Sequence, residues 1–180
     1  VVLATNNAHK ADEMRNALDL PGWGFATLRE AGVASDPAED ADSFLGNARI
    51  KARAAHGATG GAAVLADDSG LEVDALDGAP GVRSARFAGD GADDAANNAL
   101  LLSRLAEVPE GERTARFVCT LVFIGPDGRE VDACGTVEGR IAFEAQGKGG
   151  FGYDPLFLPD RFGGSISFAE VPQAEKSAIS

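Results

Sequence analysis

Cysteine is scarce. Cys119 and Cys134 are the only two in 180 residues, too few for the disulfide framework of a small secreted domain and wrongly spaced for a metal cluster. They read as small buried apolar residues. The bulged turn expected between their strands sets Cys119 opposite Gly135, so the two thiols face opposite ways and form no disulfide. Long apolar runs are also missing. No stretch approaches the roughly 20 residues that span a bilayer, and the opening Val1-Val2-Leu3-Ala4 carries no basic segment or cleavage-type sequence. A cytoplasmic protein with no membrane contact is therefore expected. Positive charge is in deficit, with 16 basic against 28 acidic residues and a net charge of −12. A field of that sign repels phosphate backbones and argues against DNA or RNA as a partner. It leaves room for a small anionic ligand where a bound divalent metal reverses the field locally.

What is present fits one compact α/β domain over residues 1–180, since 44% hydrophobic residues in a chain of this length build a core without staples. The 23 glycines have no period, which excludes a collagen-like or solenoid repeat. Val1 to Ala4 predicts a strand, the polar Thr5-Asn6-Asn7-Ala8-His9-Lys10 a loop, and Ala11, Met14, Ala17 and Leu18 the apolar face of a helix ended by Pro21-Gly22. A strand near residues 25–28 and an acidic loop over 35–42 follow. Ser43 caps a helix reaching about His56, with Asn47 and Lys51 on the same stripe as Phe44, Ala48 and Ala55. The apolar run 62–66 predicts a strand covered on both faces that stops at Asp67-Asp68-Ser69-Gly70, where the chain turns into a short strand over 71–73. A loop carrying Arg83 and Arg86 leads to a helix over 93–106. Residues 114–124 and 130–139 form a hairpin around Gly125-Pro126-Asp127-Gly128, read as a type I turn with a glycine bulge. Loop and a terminal helical turn or two complete the chain.

Several segments could carry chemistry. The loop Thr5 to Lys10 joins a strand to a helix N-terminus, where backbone N–H groups, Asn side chains and a Lys suit a phosphate. It has neither the glycines nor the Lys-Ser/Thr ending of a Walker A loop. Asp67-Asp68-Ser69 stands at the carboxyl end of a buried strand, where open α/β sheets place ligands. Adjacent residues in extended chain point to opposite faces, so one aspartate faces the site and the other faces supporting structure. Two neighbouring carboxylates call for a cation, and magnesium bound through one or two carboxylates, water and phosphate would serve; a solvated acidic turn is the alternative. Glu39 or Asp40 could add a second carboxylate. In Gly147-Lys148-Gly149-Gly150-Phe151-Gly152-Tyr153-Asp154-Pro155, glycines allow close backbone approach and two aromatic rings offer surfaces for a purine, or else a tight connection with core aromatics. Arginine outnumbers lysine twelve to four, yet Lys10, Lys51, Lys148 and Lys176 each fall in one of the segments singled out. Compact ammonium groups suit phosphate as point charges. His9 and His56 read from the sequence as solvent-exposed.

Taken in order, Ala4-Thr5-Asn6-Asn7 with Lys10, the Phe44-to-Lys51 stretch, Asp67-Asp68-Ser69-Gly70, Gly78-Ala79-Pro80-Gly81 with Ser84-Ala85-Arg86, Gly149 to Asp154, and Glu175-Lys176-Ser177-Ala178-Ile179-Ser180 resemble the motifs of the inosine/xanthosine triphosphate pyrophosphatase family over nearly the whole chain. The resemblance implies an elongated α/β fold with a central mixed sheet, two lobes enclosing a nucleotide cleft, a homodimer and Mg2+ dependence. The implied activity is hydrolysis of non-standard purine nucleoside triphosphates (ITP, dITP, XTP) to the monophosphate and pyrophosphate, which cleanses the nucleotide pool. It further implies that Thr5, Asn6, Asn7, Ala8, His9 and Lys10 hold phosphate and sugar, and that Asp68 is proton acceptor and metal ligand. Ser69 would touch substrate, Glu39 would be the second metal ligand, Lys51 a phosphate contact, and Phe151, Gly152, Tyr153, Asp154 and Lys176 the wall against the base. The loop after Glu39 is one residue shorter than the family pattern, which leaves Glu39 and Asp40 both open as ligand. A nucleotide-binding regulatory module and a phosphatase with an aspartyl nucleophile are the competing readings.

Overall fold

The computed structural model describes residues 1–18 and 20–176, with the backbone alone described at positions 8, 9, 13, 173 and 174. Its strands are β1 (Val2–Leu3), β2 (Ala26–Thr27), β3 (Val64–Val73), β4 (Thr114–Ile124), β5 (Glu130–Ile141) and β6 (Phe157–Pro159). The helices are α1 (Ala8–Ala17), α2 (Phe44–Ala58), α3 (Asp94–Arg104) and α4 (Gln173–Lys176). The strands form one mixed sheet in the order β2-β1-β3-β4-β5-β6. Val2 lies beside Ala26 on one side and Val64 on the other, both parallel, whereas Arg140 lies beside Leu158 in an antiparallel pair. The architecture is α/β, as the sequence predicts. By contact the chain divides into two compact units, residues 1–68 with 119–135 and residues 69–118 with 136–180, and β3, β4 and β5 each contribute to both.

In the first unit the sheet is covered on two faces, and β3 shows how. Val64 and Ala66 pack with Ala48, Ala52 and Ala55 of α2, while Leu65 packs with Leu3 and Ala11 on the side of α1. This is the period-two alternation of a strand. The alanine stripe of α2 is fully buried at Ala48, Ala52 and Ala55, so the helix lies close to the sheet. A larger side chain at Ala52 would cost about 1–3 kcal/mol by overpacking. Ser43 caps α2 by accepting from Gly46 N at 3.2 Å, which satisfies one of the amide groups that a helix start leaves open. The helix runs two residues past the expected His56 and stops at Thr59, whose N–H returns to the Ala55 carbonyl.

The expected break after Ala66 does not occur. β3 continues through Asp67, Asp68, Ser69 and Gly70 to Val73, and both aspartates are buried, at 5% and 8% exposure. Carboxylates inside a strand argue for a turn only while they are uncompensated, and each of these has an ammonium partner from a helix. The hairpin matches its expectation closely. Gly128 N donates to Gly125 O at 2.9 Å and Gly128 has φ 78°, the left-handed residue of a bulged type I turn. Neither Cys119 nor Cys134 is disulfide-bonded, but neither is buried as expected: Cys119 is half-buried and Cys134 exposed. Thr120 Oγ1 contacts Cys134 Sγ at 3.6 Å, so Cys134 shares a face with Thr120, the neighbour of Cys119.

The second unit has its own core, in which Phe157 meets Phe117 and Phe168 at centroid distances of 4.7 and 5.2 Å. Arg113, 2% exposed, donates to the carbonyls of Leu105, Val108, Ile141 and Ala142, tying the end of α3 to the end of β5. Burial lowers its pKa from the ordinary arginine value, but four carbonyl acceptors hold the charged form in place.

Candidate active site

The first unit brings three carboxylates and two lysines together around β3. Because Asp67 continues the Leu65 face and Asp68 the Val64–Ala66 face, the two point to opposite sides of the strand. Asp67 receives Lys10 of α1 at 2.7 Å. Asp68 receives Lys51 of α2, with Nζ 3.3 Å from Oδ1, and the same ammonium lies 3.0 Å from Glu39 Oε2. Glu39, rather than Asp40, is thus the acidic-loop residue that meets Lys51. Lys51 sits one turn beyond Asn47 on α2, as their shared stripe predicts.

Asn47, to which the sequence assigns no role, completes this arrangement. It is 1% exposed; its Nδ2 donates to Asp68 Oδ2 at 3.2 Å and its Oδ1 accepts from Ala41 N at 3.0 Å. One amide therefore fixes both the Asp68 carboxylate and the loop that carries Glu39. Its only sequence signal is a polar residue on an apolar helical stripe, whose partner Asp68 lies 21 positions away.

Burial raises the Asp68 pKa above the ordinary aspartate value, and the Glu39 charge adds to the rise, while Lys51, Asn47 and Lys10 act against it. For Lys10, burial opposes the charged form, but the charge and hydrogen bond of Asp67 outweigh it, and the pKa lies above the ordinary lysine value. A carboxylate that is desolvated, fixed and loosely shared is suited to take a proton or bind a cation.

The expected loop is shorter than its sequence suggests, since α1 begins at Ala8 and takes Ala8, His9 and Lys10 into its first turn, and the Thr5 to Asn7 part that remains is organised by its own side chains. Thr5 Oγ1 accepts from Asn7 N at 3.1 Å and Asn7 Oδ1 from Lys10 N at 3.3 Å. Asn6 Nδ2 donates to Ser35 O and Asp36 Oδ1. The side chains of Ala8 and His9 lie outside the described residues. Ser69 follows Asp68 in β3 and belongs to the second unit.

The other expected site residues lie in the second unit. Asp154 and Lys176 are 3% and 5% exposed and pair at 2.7 Å. The Lys176 ammonium stands 4.9 Å from the Phe151 ring centroid and 5.6 Å from that of Phe168. Phe151 is 36% exposed, whereas Tyr153 is 3% exposed, with its hydroxyl donating to Ser84 O at 2.8 Å. Phe151 offers a ring face and Tyr153 supports the loop from beneath. At Gly150, φ is 72° and a Cβ would fall on the Asp154 carboxylate, so that position requires glycine. Ser177 to Ser180, the end of the last motif, lie outside the described residues.

The Ham1 family profile matches residues 1–180. The chain belongs to the Ham1 family. A dITP/XTP pyrophosphatase of Exiguobacterium sibiricum is 49% identical over all of this chain and 89% of its own length. One of Cutibacterium acnes is 48% identical, with the same coverage of both chains. Among solved structures, a HAM1 protein from Coxiella burnetii superimposes with a TM-score of 0.88 at 39% identity, covering 99% of this chain and 90% of that one. A nucleoside-triphosphatase / dITP/XTP pyrophosphatase from Mycobacterium abscessus gives 0.82 at 42% identity, covering 99% and 92%. Ham1 membership thus rests on full-length agreement in sequence and in fold.

Proposed function

We propose that residues 1–180 act as one domain that hydrolyses non-standard purine nucleoside triphosphates such as ITP, dITP and XTP to the monophosphate and pyrophosphate. The observation that carries this reading is Lys51 held between Glu39 and Asp68 beside the Lys10–Asp67 pair. The names of the Ham1 relatives, dITP/XTP pyrophosphatase, agree with it. In the reaction, water attacks the α-phosphorus, Asp68 accepts its proton, and the bond from that phosphorus to the β-bridging oxygen breaks. Lys10 and Lys51 hold the phosphate chain and offset charge on the departing pyrophosphate. Thr5, Asn6 and Asn7 contact phosphate and sugar, with Ala8, His9 and Ser69 in the same substrate-binding set. Phe151, Gly152, Asp154 and Lys176 read the base, with Tyr153 beneath them.

Mg2+ is the cofactor of this proposal. Among the described residues no group of three or more His, Cys, Asp or Glu side chains is placed to hold a metal. A magnesium site needs only one or two carboxylates, the rest being water and substrate phosphate. Asp68 and Glu39 are hard oxygen donors already gathered around one cation, and the cluster of Lys10, Lys51, Glu39, Asp67 and Asp68 carries one negative charge in excess. These residues fit the ion, with Asp68 and Glu39 as its protein ligands. When bound, it would supply Lewis-acid stabilisation of phosphate charge. Homodimerisation and a cytoplasmic setting belong to the same proposal, the first resting on family resemblance and the second on the lack of an apolar run long enough to span a bilayer; the net charge of −12 supports a partner list without nucleic acid.

The test is a panel of ITP, dITP, XTP, ATP and GTP with Mg2+, assayed separately for pyrophosphate and orthophosphate. Pyrophosphate from the first three, well above the last two, is the expected result. Orthophosphate alone would instead support a phosphatase with an aspartyl nucleophile.

A further inference from the structure

Gly152 is held from both sides by one helix. Its N–H donates to Asp94 Oδ2 at 2.6 Å, and its carbonyl accepts from Asn98 Nδ2 at 2.9 Å. Asp94 and Asn98 stand four residues apart on α3, hence on one face. We propose that this pair is a specificity-positioning clamp: by fixing the two peptide groups of Gly152, it sets the Phe151 ring against which a purine base is discriminated. The inference rests on the proposed reading of Phe151 to Asp154 as the base wall.

Neither side chain caps the helix. Asp93 is the N-cap of α3, accepting from Ala96 N at 2.8 Å, so the Asp94 carboxylate is left for another task. The neighbouring Asn97 shows what a structural amide looks like. It is 3% exposed, accepts from Ala88 N and donates to Ala85 O, with both ends used. Asn98 differs: its Oδ1 is buried and has no hydrogen-bond partner among the described residues. An amide with a buried unmatched acceptor is costly as a structural element, and the bond it does make is the one to Gly152 O.

The target of the clamp explains the need for it. Gly152 is half-buried with φ 59°, and a Cβ built there meets nothing within 4 Å, so no side chain of its own anchors it and its peptide groups must. Glycine in such a position is free to wander unless its peptide groups are bound. With Asp94 and Asn98 in place, both flanks of Gly152 are fixed. Phe151 N is bound independently to Asp154 Oδ2 at 3.0 Å and the Tyr153 hydroxyl to Ser84 O. A wall ordered in advance spends no binding energy on ordering itself, and discrimination between bases requires recognition groups in fixed places.

The experiment compares Asp94→Ala, Asn98→Ala, Asp94→Asn and Phe151→Ala with the parent. For each, kcat and KM are measured for inosine and adenosine triphosphates with Mg2+, together with inhibition by inorganic tripolyphosphate, which senses only the phosphate end. Melting temperature is recorded throughout. Asp94→Ala and Asn98→Ala are expected to raise KM for inosine triphosphate roughly tenfold and to narrow its advantage over adenosine triphosphate, with kcat changed less than about threefold. Tripolyphosphate inhibition is expected to stay constant. Asp94→Asn, which keeps an acceptor for Gly152 N, is expected to recover KM to within about threefold of the parent. Unchanged KM and discrimination in both alanine variants would overturn the clamp, as would an Asp94→Asn variant no better than Asp94→Ala. A loss of tripolyphosphate inhibition equal to the rise in KM would also overturn it, because the damage would not be confined to the base. If Phe151→Ala abolishes discrimination while the alanine variants on α3 do not, the clamp alone fails. If Phe151→Ala leaves discrimination intact, the base-wall reading fails and the clamp with it.

Discussion

The Lys176–Asp154 pair and the Lys51–Asp68 pair join the same two kinds of side chain, and their surroundings differ. Lys176 and Asp154 meet at 2.7 Å with side chains 7% and 4% exposed, under the rings of Phe151 and Phe168. Lys51 meets Asp68 at 3.3 Å and shares its charge with Glu39 at 3.0 Å, with side chains 14%, 11% and 35% exposed. A short, enclosed pair resists rearrangement because separating its charges in a poorly polarisable setting is costly. A longer pair with two carboxylates competing for one ammonium can let a ligand or ion take over part of the contact. The first arrangement suits a rigid wall, the second a reaction site.

The sharpest way to break that comparison is to neutralise each aspartate or its lysine in turn. Asp68→Asn is expected to lower turnover by about 10²–10⁴-fold, the range for loss of a general base, while keeping the fold. Hydrolysis of inosine triphosphate at the parental rate would remove Asp68 from the mechanism and turn attention to Asp67 and Glu39. The same variant reads the electrostatics. Burial holds the folded-state pKa of Asp68 above its ordinary value of 3.8. Such a carboxylate favours the folded state most when protonated, and this contribution is lost as pH rises through the folded-state pKa. In metal-free buffer the parent is therefore expected to gain melting temperature relative to Asp68→Asn as pH falls from neutral toward the ordinary aspartate range. A difference that stayed flat, or grew the other way, would contradict the burial argument.

Lys176→Met leaves Asp154 as a buried charge without its ammonium and is expected to destabilise the protein by about 3–5 kcal/mol, visible in urea unfolding at neutral pH. A loss below about 1 kcal/mol would mean that the pair is not the rigid member of the comparison. Lys51→Ala gives the smallest effect of the three. It is expected to raise the dissociation constant of a non-hydrolysable triphosphate roughly tenfold and that of the monophosphate much less, as loss of one charge-assisted hydrogen bond predicts. Equal losses for both ligands would show that Lys51 does not address the phosphate chain.

How much of this could be read from the chain follows from the range over which each signal acts. The alternation of Val64, Leu65 and Ala66 and the Gly125-Pro126-Asp127-Gly128 turn are local, and the fold follows them closely. The end of β3 departs from its expectation for a physical reason: Asp67 and Asp68 argue for a turn unless Lys10 and Lys51, 57 and 17 positions away, neutralise them. Asn47 stood out as a polar residue on an apolar stripe, but its task depends on Asp68 and Ala41. Asp94 reads in the sequence only as an acidic residue suited to the start of α3, and neither it nor Asn98 signals the clamp, because their target, Gly152, lies 58 and 54 positions along the chain and glycine carries no pattern that names its partners.

The central claim is that water attacks the α-phosphorus, and isotope placement tests it most directly. Inosine triphosphate hydrolysed in 18O-labelled water with Mg2+ is expected to yield inosine monophosphate carrying one labelled oxygen and unlabelled pyrophosphate. Label in the pyrophosphate instead would place the attack on the β-phosphorus and contradict the account.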